Sequence, residues 1–123
     1  MEKCVAEILD GYSIAFIKDK KIDNKTTKLI LSKYEKAIEE LKKKYKDINW
    51  EIIIKSFICV NETIWKYEAA IRQGLVDDDP LIVYTRAILV REFNAVRVGL
   101  GNTVSALMKQ DDSFNIKKDH VSE

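Results

Sequence analysis

Four side chains in the middle of the chain share one stripe of a predicted helix and could act together chemically. They are Asn61, Trp65, Glu68 and Arg72. Their spacing of four, three and four residues keeps them within roughly 60° of one another at about 100° per residue. The stripe therefore combines an amide, an indole, a carboxylate and a guanidinium in an otherwise apolar segment. Burying such groups unpaired is costly, so we expect another helix, a partner chain or a ligand to satisfy them.

The helix that carries this stripe is predicted to run from Trp50 to about Gln73. Asn49 is a suitable N-cap, and Gly74 is well placed to end the helix. The β-branched run 52–54 also fits a strand. However, the polar residues of the segment are spaced by fours and sevens, which collects them on one face of a helix and scatters them on a strand. A helix is therefore predicted, with a polar face formed by Glu51, Lys55, Glu62, Lys66 and Gln73.

Two helices are predicted before it. The first covers about Glu2 to Lys20, with apolar residues at helical spacing, and Gly11 weakens it by about 1 kcal/mol relative to alanine. Asp23 or Asn24 can cap the second, because both side chains accept hydrogen bonds from a first helical turn. The expected core positions of these two helices are Val5, Ile8, Leu9, Tyr12, Phe16, Ile30, Tyr34, Ala37, Ile38, Leu41 and Tyr45.

A fourth helix is predicted after a short turn. Asp79 is its N-cap, Pro80 occupies the first helical position, and the helix runs toward Lys109. Gly99 and Gly101 weaken it and would allow a kink or the close packing of a neighbouring helix. Its expected core stripe consists of Ile82, Leu89, Phe93, Val96, Leu100, Val104 and Leu107.

These elements predict an all-α fold, either an antiparallel four-helix bundle or two long helical hairpins. Residues 1–109 form a single helical domain in this interpretation, and the polar, aperiodic residues 110–123 form a flexible, disordered tail. The short turn before the fourth helix implies that it packs antiparallel to the third. Counting from that turn places Glu68 level with Arg86 and Asn61 level with Glu92.

This register predicts an ion pair between Glu68 and Arg86, with Asn94 and Arg97 extending the network toward Asn61. Arg72 lies near the turn, where the acidic residues 77–79 could neutralise it. A satisfied network of this kind commonly fixes helix register and adds little stability. The functional alternative is that Arg72, Arg86 and Arg97 converge on an anion beside the flat face of Trp65. Spacing leaves both interpretations open and favours the structural one.

Three segments also follow longer patterns. Residues 10–22 read Asp-x-x-Ser-Ile-x-x-Ile-Lys-x-x-Lys-Ile, residues 60–72 read Val-Asn-x-x-Ile-Trp-x-x-Glu-x-x-Ile-Arg, and residues 94–97 read Asn-x-x-Arg. Together they resemble the signatures of a small, functionally uncharacterised helical family in bacteria and viruses, although Gly101 stands where that family has a lysine. The resemblance implies an all-helical domain and no particular activity. It marks as family positions Lys18, Asn61, Trp65, Glu68, Arg72, Asn94 and Arg97.

Composition limits the partners. The chain has 123 residues, and its 21 Lys and Arg nearly balance its 20 Asp and Glu, so nucleic acid is not an expected partner. The start lacks the layout of a signal peptide, and the apolar stretches are too short to cross a bilayer, so no membrane association is expected. Cys4 and Cys59 fit no metal or redox spacing, and Cys59 is expected in the core. A cytoplasmic location follows.

No catalytic residue, metal ligand or cofactor is nominated, because the only histidine, His120, lies in the predicted tail. The preferred interpretation is a non-catalytic helical binding or assembly protein, a homo-oligomer whose polar stripe locks the assembly or lines a pocket for a small anionic, phosphate-bearing ligand. The alternative is a small all-α enzyme that acts on a nucleotide or sugar phosphate with one divalent metal held by Glu68 and Glu92. The candidate ligand-binding residues are Lys18, Asn61, Trp65, Glu68, Arg72, Arg86, Asn94 and Arg97.

Overall fold

Four α-helices account for nearly all of the described chain. The computed structural model describes residues 3–74 and 79–108. Among these residues there is no strand, so the predicted all-α class is confirmed. None of the described helices combines the length and apolarity that crossing a membrane requires. The predicted tail, residues 110–123, lies outside the described residues. The helices are α1 (Val5–Ile22), α2 (Lys25–Lys44), α3 (Trp50–Gly74) and α4 (Pro80–Leu107).

Three of the four helices begin at the predicted caps. The Asn24 side chain accepts a hydrogen bond of 2.8 Å from the backbone N–H of Thr27, and the Thr27 hydroxyl oxygen accepts one of 3.0 Å from the backbone N–H of Asn24, which forms a capping box. Asp79 Oδ1 accepts from a backbone N–H at 2.7 Å, with Pro80 next in the chain. Asn49 Oδ1 accepts from the backbone N–H three residues later at 3.3 Å. Local sequence therefore determines where these helices start.

The fold consists of two helical hairpins that pack together through α1. This helix contacts α2, α3 and α4, while α3 and α4 pack against each other. Contacts from Lys3 to Tyr34 and from Thr27 to Asp19 show that α1 and α2 are antiparallel. Because α1 is surrounded by three helices, nearly every one of its faces is buried.

The core forms where all these helices meet. Phe57 and Leu9 are fully buried at its centre, and Trp50 closes one end by donating its indole N–H to the Tyr45 carbonyl at 2.9 Å. Most of the predicted core of α1 and α2 is confirmed as buried or half-buried. Other predictions were wrong because α2, α3 and α4 each bury only one narrow side. The predicted core residues that are exposed are Ile30, Cys59, Ile82, Val96 and Leu107.

Gly11 makes room for α2 to pack against α1. A β-carbon added there would lie 2.5 Å from the Cε1, Cζ and hydroxyl oxygen of Tyr34, well inside van der Waals contact. The same Tyr34 hydroxyl accepts a hydrogen bond of 3.0 Å from Lys3 Nζ. The glycine that weakens α1 as an isolated helix therefore makes room for an aromatic ring of its neighbour.

Candidate functional site

A buried polar network joins three of the helices. Arg97 of α4 holds Asp10 of α1 through two hydrogen bonds, from Nε to Oδ1 at 2.6 Å and from Nη2 to Oδ2 at 2.5 Å. Asn61 of α3 donates its amide hydrogens to Asp10 Oδ1 at 3.0 Å and to Ser13 Oγ at 2.6 Å. The Ser13 hydroxyl donates to the Asp10 backbone carbonyl at 2.7 Å. This set is called the Asp10 network below.

The Asp10 network is shielded from water and internally matched in charge. The whole residues Asp10, Ser13 and Asn61 are 4%, 0% and 6% exposed, and the Arg97 side chain is 11% exposed. Both carboxylate oxygens accept a hydrogen bond from the planar guanidinium, which is the strong two-point geometry of arginine with a carboxylate. With Arg97 paired in this way, its charge is matched within the fold. An anionic ligand would therefore need cations from elsewhere in the molecule.

The predicted polar stripe is brought together only in part. Asn61 and Arg97 do meet, as the extension of the network toward Asn61 predicted, but they meet on Asp10. The predicted ion pair between Glu68 and Arg86 was wrong: Glu68 is exposed and, within the described residues, forms no ion pair. Arg86 Nη1 donates instead to a carbonyl of α3, that of Ala70, at 3.4 Å.

The register of α4 against α3 explains this error. Counting from the turn placed Asn61 level with Glu92, whereas the structure brings it beside Arg97. The stacked rings of Tyr67 and Phe93, whose centroids are 6.1 Å apart, show the same displacement. Equal counting assumes that side-chain packing leaves the two helices in step, whereas the way ridges fit into grooves sets their relative position.

The other candidate residues lie apart from the Asp10 network. Lys18 and Arg72 are exposed, and Asn94 is half-buried. The predicted neutralisation of Arg72 involves residues 77 and 78, which lie outside the described residues. Trp65 is half-buried and lines an open groove of about 800 Å³ between the end of α1 and the second half of α3. We call this the α1–α3 groove; the other side chains that line it are Lys20, Lys21, Glu62, Lys66, Ala69, Ala70 and Gln73.

The described residues offer little to metal or thiol chemistry. They contain no group of three or more His, Cys, Asp or Glu side chains that could hold a metal ion. Glu68 and Glu92, the two carboxylates expected to face inward, are both exposed. Burial raises the pKa of the Cys4 thiol, which donates a hydrogen bond to Glu7 Oε1 at 3.1 Å. A raised pKa lowers the thiolate fraction, so Cys4 is a poor nucleophile.

Sequence reasoning missed Asp10 and Ser13 as members of the network. One signal was present, because α1 carries small or apolar residues on nearly every side, at positions that include Ala6, Ala15 and Ile17. A helix that is apolar all round is buried all round. A carboxylate within it must then find a charged partner on a neighbouring helix.

The fold and the Asp10 network define a small all-α bundle with a buried ion pair between α1 and α4. No protein-family model, no curated protein and no solved structure matches the chain. The resemblance to a bacterial and viral helical family therefore stays a prediction, and the geometry of the described residues carries the functional inference.

Proposed function

We propose that the protein is a cytoplasmic, non-catalytic assembly protein that self-associates through the outer face of α4. The observation that carries the proposal is the apolar character of this exposed face. Leu81 and Tyr84, which lie three residues apart on this face, are 69% and 62% exposed. Large apolar side chains this open to water favour a partner surface that covers them. α4 has 28 residues, so it offers about 42 Å of helix for such a contact.

The outer face of α4 also carries the spacing of a two-helix seam. Positions separated alternately by four and three residues line one side of the helix, as in a coiled coil. All are exposed except Ile88, which is half-buried. We call them the α4 seam: Leu81, Thr85, Ile88, Glu92, Ala95, Gly99, Asn102 and Ala106.

Side-chain size along the α4 seam favours antiparallel pairing of two copies. The first half carries the large residues Leu81 and Ile88, and the second half carries Gly99 and two alanines. Antiparallel pairing places Ile88 of one copy against the partner's Gly99 and Leu81 against the partner's Ala106, so each large apolar side chain of the seam meets a small one. Arg91 and Glu92 then lie near the two-fold axis, where opposite charges of the two copies meet.

Gly99 supplies a further argument for a partner helix. A β-carbon added at this position meets nothing within 4 Å, so packing within a single chain gives no reason for a glycine. Glycine in a helix interior costs about 1 kcal/mol relative to alanine. A second helix that approaches closely at this point accounts for it.

The proposal is tested by light scattering coupled to size-exclusion chromatography of the full chain at micromolar concentrations. We expect a dimer for the wild type and a monomer for Gly99→Gln, whose side chain enters the seam. Glutamine has the higher helix propensity, so this variant should keep its helical circular dichroism. Ala87→Gln is the matched control, since Ala87 is exposed on α4 outside the seam, and it should remain a dimer. A monomeric wild type, or a Gly99→Gln variant that still dimerises, would overturn the proposal.

A further inference from the structure

The α1–α3 groove concentrates positive charge. Three lysines line it, Lys20 and Lys21 from α1 and Lys66 from α3, against one carboxylate, that of Glu62. This leaves a local excess of two positive charges, whereas the whole chain carries a formal charge of only +1. Two lysines in the last turn of α1 would be expected from the helix dipole alone. The helix dipole of α1 does not account for the third lysine, which lies on α3, or for the aromatic ring of Trp65 in the same groove.

The lysines of the groove have no acidic partner within the described residues, unlike several lysines elsewhere. Lys55 pairs with Glu51 at 3.0 Å, and Lys28 of α2 pairs with Asp19 in the last turn of α1 and with Asp23 just after it. By contrast, the described ion pairs include none from Lys20, Lys21 or Lys66. Ammonium groups that outnumber carboxylates in a concave site attract anions.

Trp65 gives the groove a flat apolar surface. Its ring is half-buried, and Lys21 Nζ lies 6.0 Å from the ring centroid. The chain's other tryptophan, Trp50, is buried and donates its indole N–H to a backbone carbonyl. Within the described residues, the Trp65 indole N–H makes no such hydrogen bond. An accessible indole face next to cations suits a planar ring with an attached anionic group.

We propose that the α1–α3 groove binds a phosphorylated planar molecule of the nucleotide class. The base stacks on the indole ring of Trp65, and the phosphate oxygens accept hydrogen bonds from Lys20, Lys21 and Lys66. The groove volume of about 800 Å³ lies within the range of about 300–1,000 Å³ that is typical of small-molecule sites. This site is separate from the α4 seam, so binding does not depend on self-association.

The experiment is a titration of the full-length, ¹⁵N-labelled protein with ATP, followed by its two indole N–H signals in NMR spectra. Trp65 reports on the groove, and the buried Trp50 serves as an internal control. We expect a saturable shift of the Trp65 signal and a stationary Trp50 signal. Adenosine and tripolyphosphate, titrated separately, should each bind more weakly than ATP, because each supplies only half of the contacts. Added salt should weaken ATP binding, since screening reduces the attraction between phosphates and exposed ammonium groups.

Matched variants locate the site. Lys21→Gln and Lys66→Gln should each weaken ATP binding, and Trp65→Leu, followed by backbone amide signals, should weaken it about tenfold, which is the size of effect expected for loss of one stacked base. Lys55→Gln removes an exposed lysine from the same polar face of α3 and should leave binding unchanged. Gly99→Gln should also leave it unchanged, which separates this proposal from dimerisation. Absence of a saturable shift at millimolar ATP, or equal weakening by Lys55→Gln and Lys66→Gln, would overturn the proposal.

Discussion

Removal of the Asp10 carboxylate is the perturbation to which the fold should respond most strongly. In Asp10→Ala, the guanidinium of Arg97 loses its counter-charge and both of its hydrogen bonds, and Asn61 loses one acceptor. Breaking a buried ion pair from one side costs about 3–5 kcal/mol. Domains are stable by only about 5–15 kcal/mol. We therefore expect this single substitution to remove a large fraction of the free energy of unfolding and to lower the melting temperature by about 10–20 °C.

Urea unfolding monitored by circular dichroism measures this loss. A second variant separates the ion pair from its surroundings: Asp10→Leu combined with Arg97→Met removes both charges and leaves Asn61 its bond to Ser13. Apolar replacement of a whole buried pair is often neutral or stabilising, so the double variant should be clearly more stable than Asp10→Ala. Glu39→Ala is the surface control, because it breaks only the exposed Lys42–Glu39 pair at 3.7 Å and should cost less than about 0.5 kcal/mol.

Two results would refute this reasoning. The first is a loss of less than about 1 kcal/mol in the free energy of unfolding of Asp10→Ala. It would mean that water or a rearrangement compensates the charge of Arg97, which is inconsistent with a side chain only 11% exposed. A double variant no more stable than Asp10→Ala would show that removing the unpaired guanidinium restores no stability. Either outcome would mean that apolar packing alone holds α1, α3 and α4 together.

Packing and exposure lead to four further predictions. Gly11→Ala should destabilise the protein by about 1 kcal/mol because the added methyl group meets the tyrosine ring of α2. Gly99→Ala adds a methyl group that meets open space within the chain. It should therefore raise the thermal stability of the dilute, monomeric protein by about 0.5–1 kcal/mol. Ser105→Ala should stabilise by about 0.5–1 kcal/mol in urea unfolding, since the buried Ser105 hydroxyl has no hydrogen-bond partner among the described residues; a loss would indicate a bound water at that atom. In native protein, a maleimide should label the exposed Cys59 before the partly buried Cys4. Mass spectrometry measures the order of labelling, and the Cys59→Ser variant is the control.

Helix class and helix starts could be predicted from the sequence because their causes are local. The caps at Asn24, Asn49 and Asp79 act on backbone groups two or three residues away, so the information lies within one turn. The polar face of α3 was also predicted correctly, and all five of its residues are exposed. These features follow from side-chain chemistry and helical periodicity alone.

The buried partners could not be predicted in the same way because they depend on how helices cross. Asp10 and Arg97 are separated by 87 residues along the chain, and their pairing depends on the displacement of α4 along α3. Counting from a turn misses that displacement, which is why Glu68 was assigned the carboxylate role that Asp10 holds. Cys59 was placed in the core for a related reason: its apolar neighbours predict burial, but α3 buries a single side, and Cys59 faces away from it.

The two sides of α4 connect the fold to the proposed assembly. Its inner side carries Arg97, whose two-point hydrogen bonding to Asp10 fixes both the position of α4 along the bundle and its rotation about its own axis. That rotation determines which residues face outward, so the same ion pair sets the direction of the α4 seam. A coiled-coil contact tolerates little rotation, because each side chain must enter a space formed by four residues of the facing helix. The Asp10 network would then specify the geometry of self-association from inside the bundle, although none of its residues lies on the outer face.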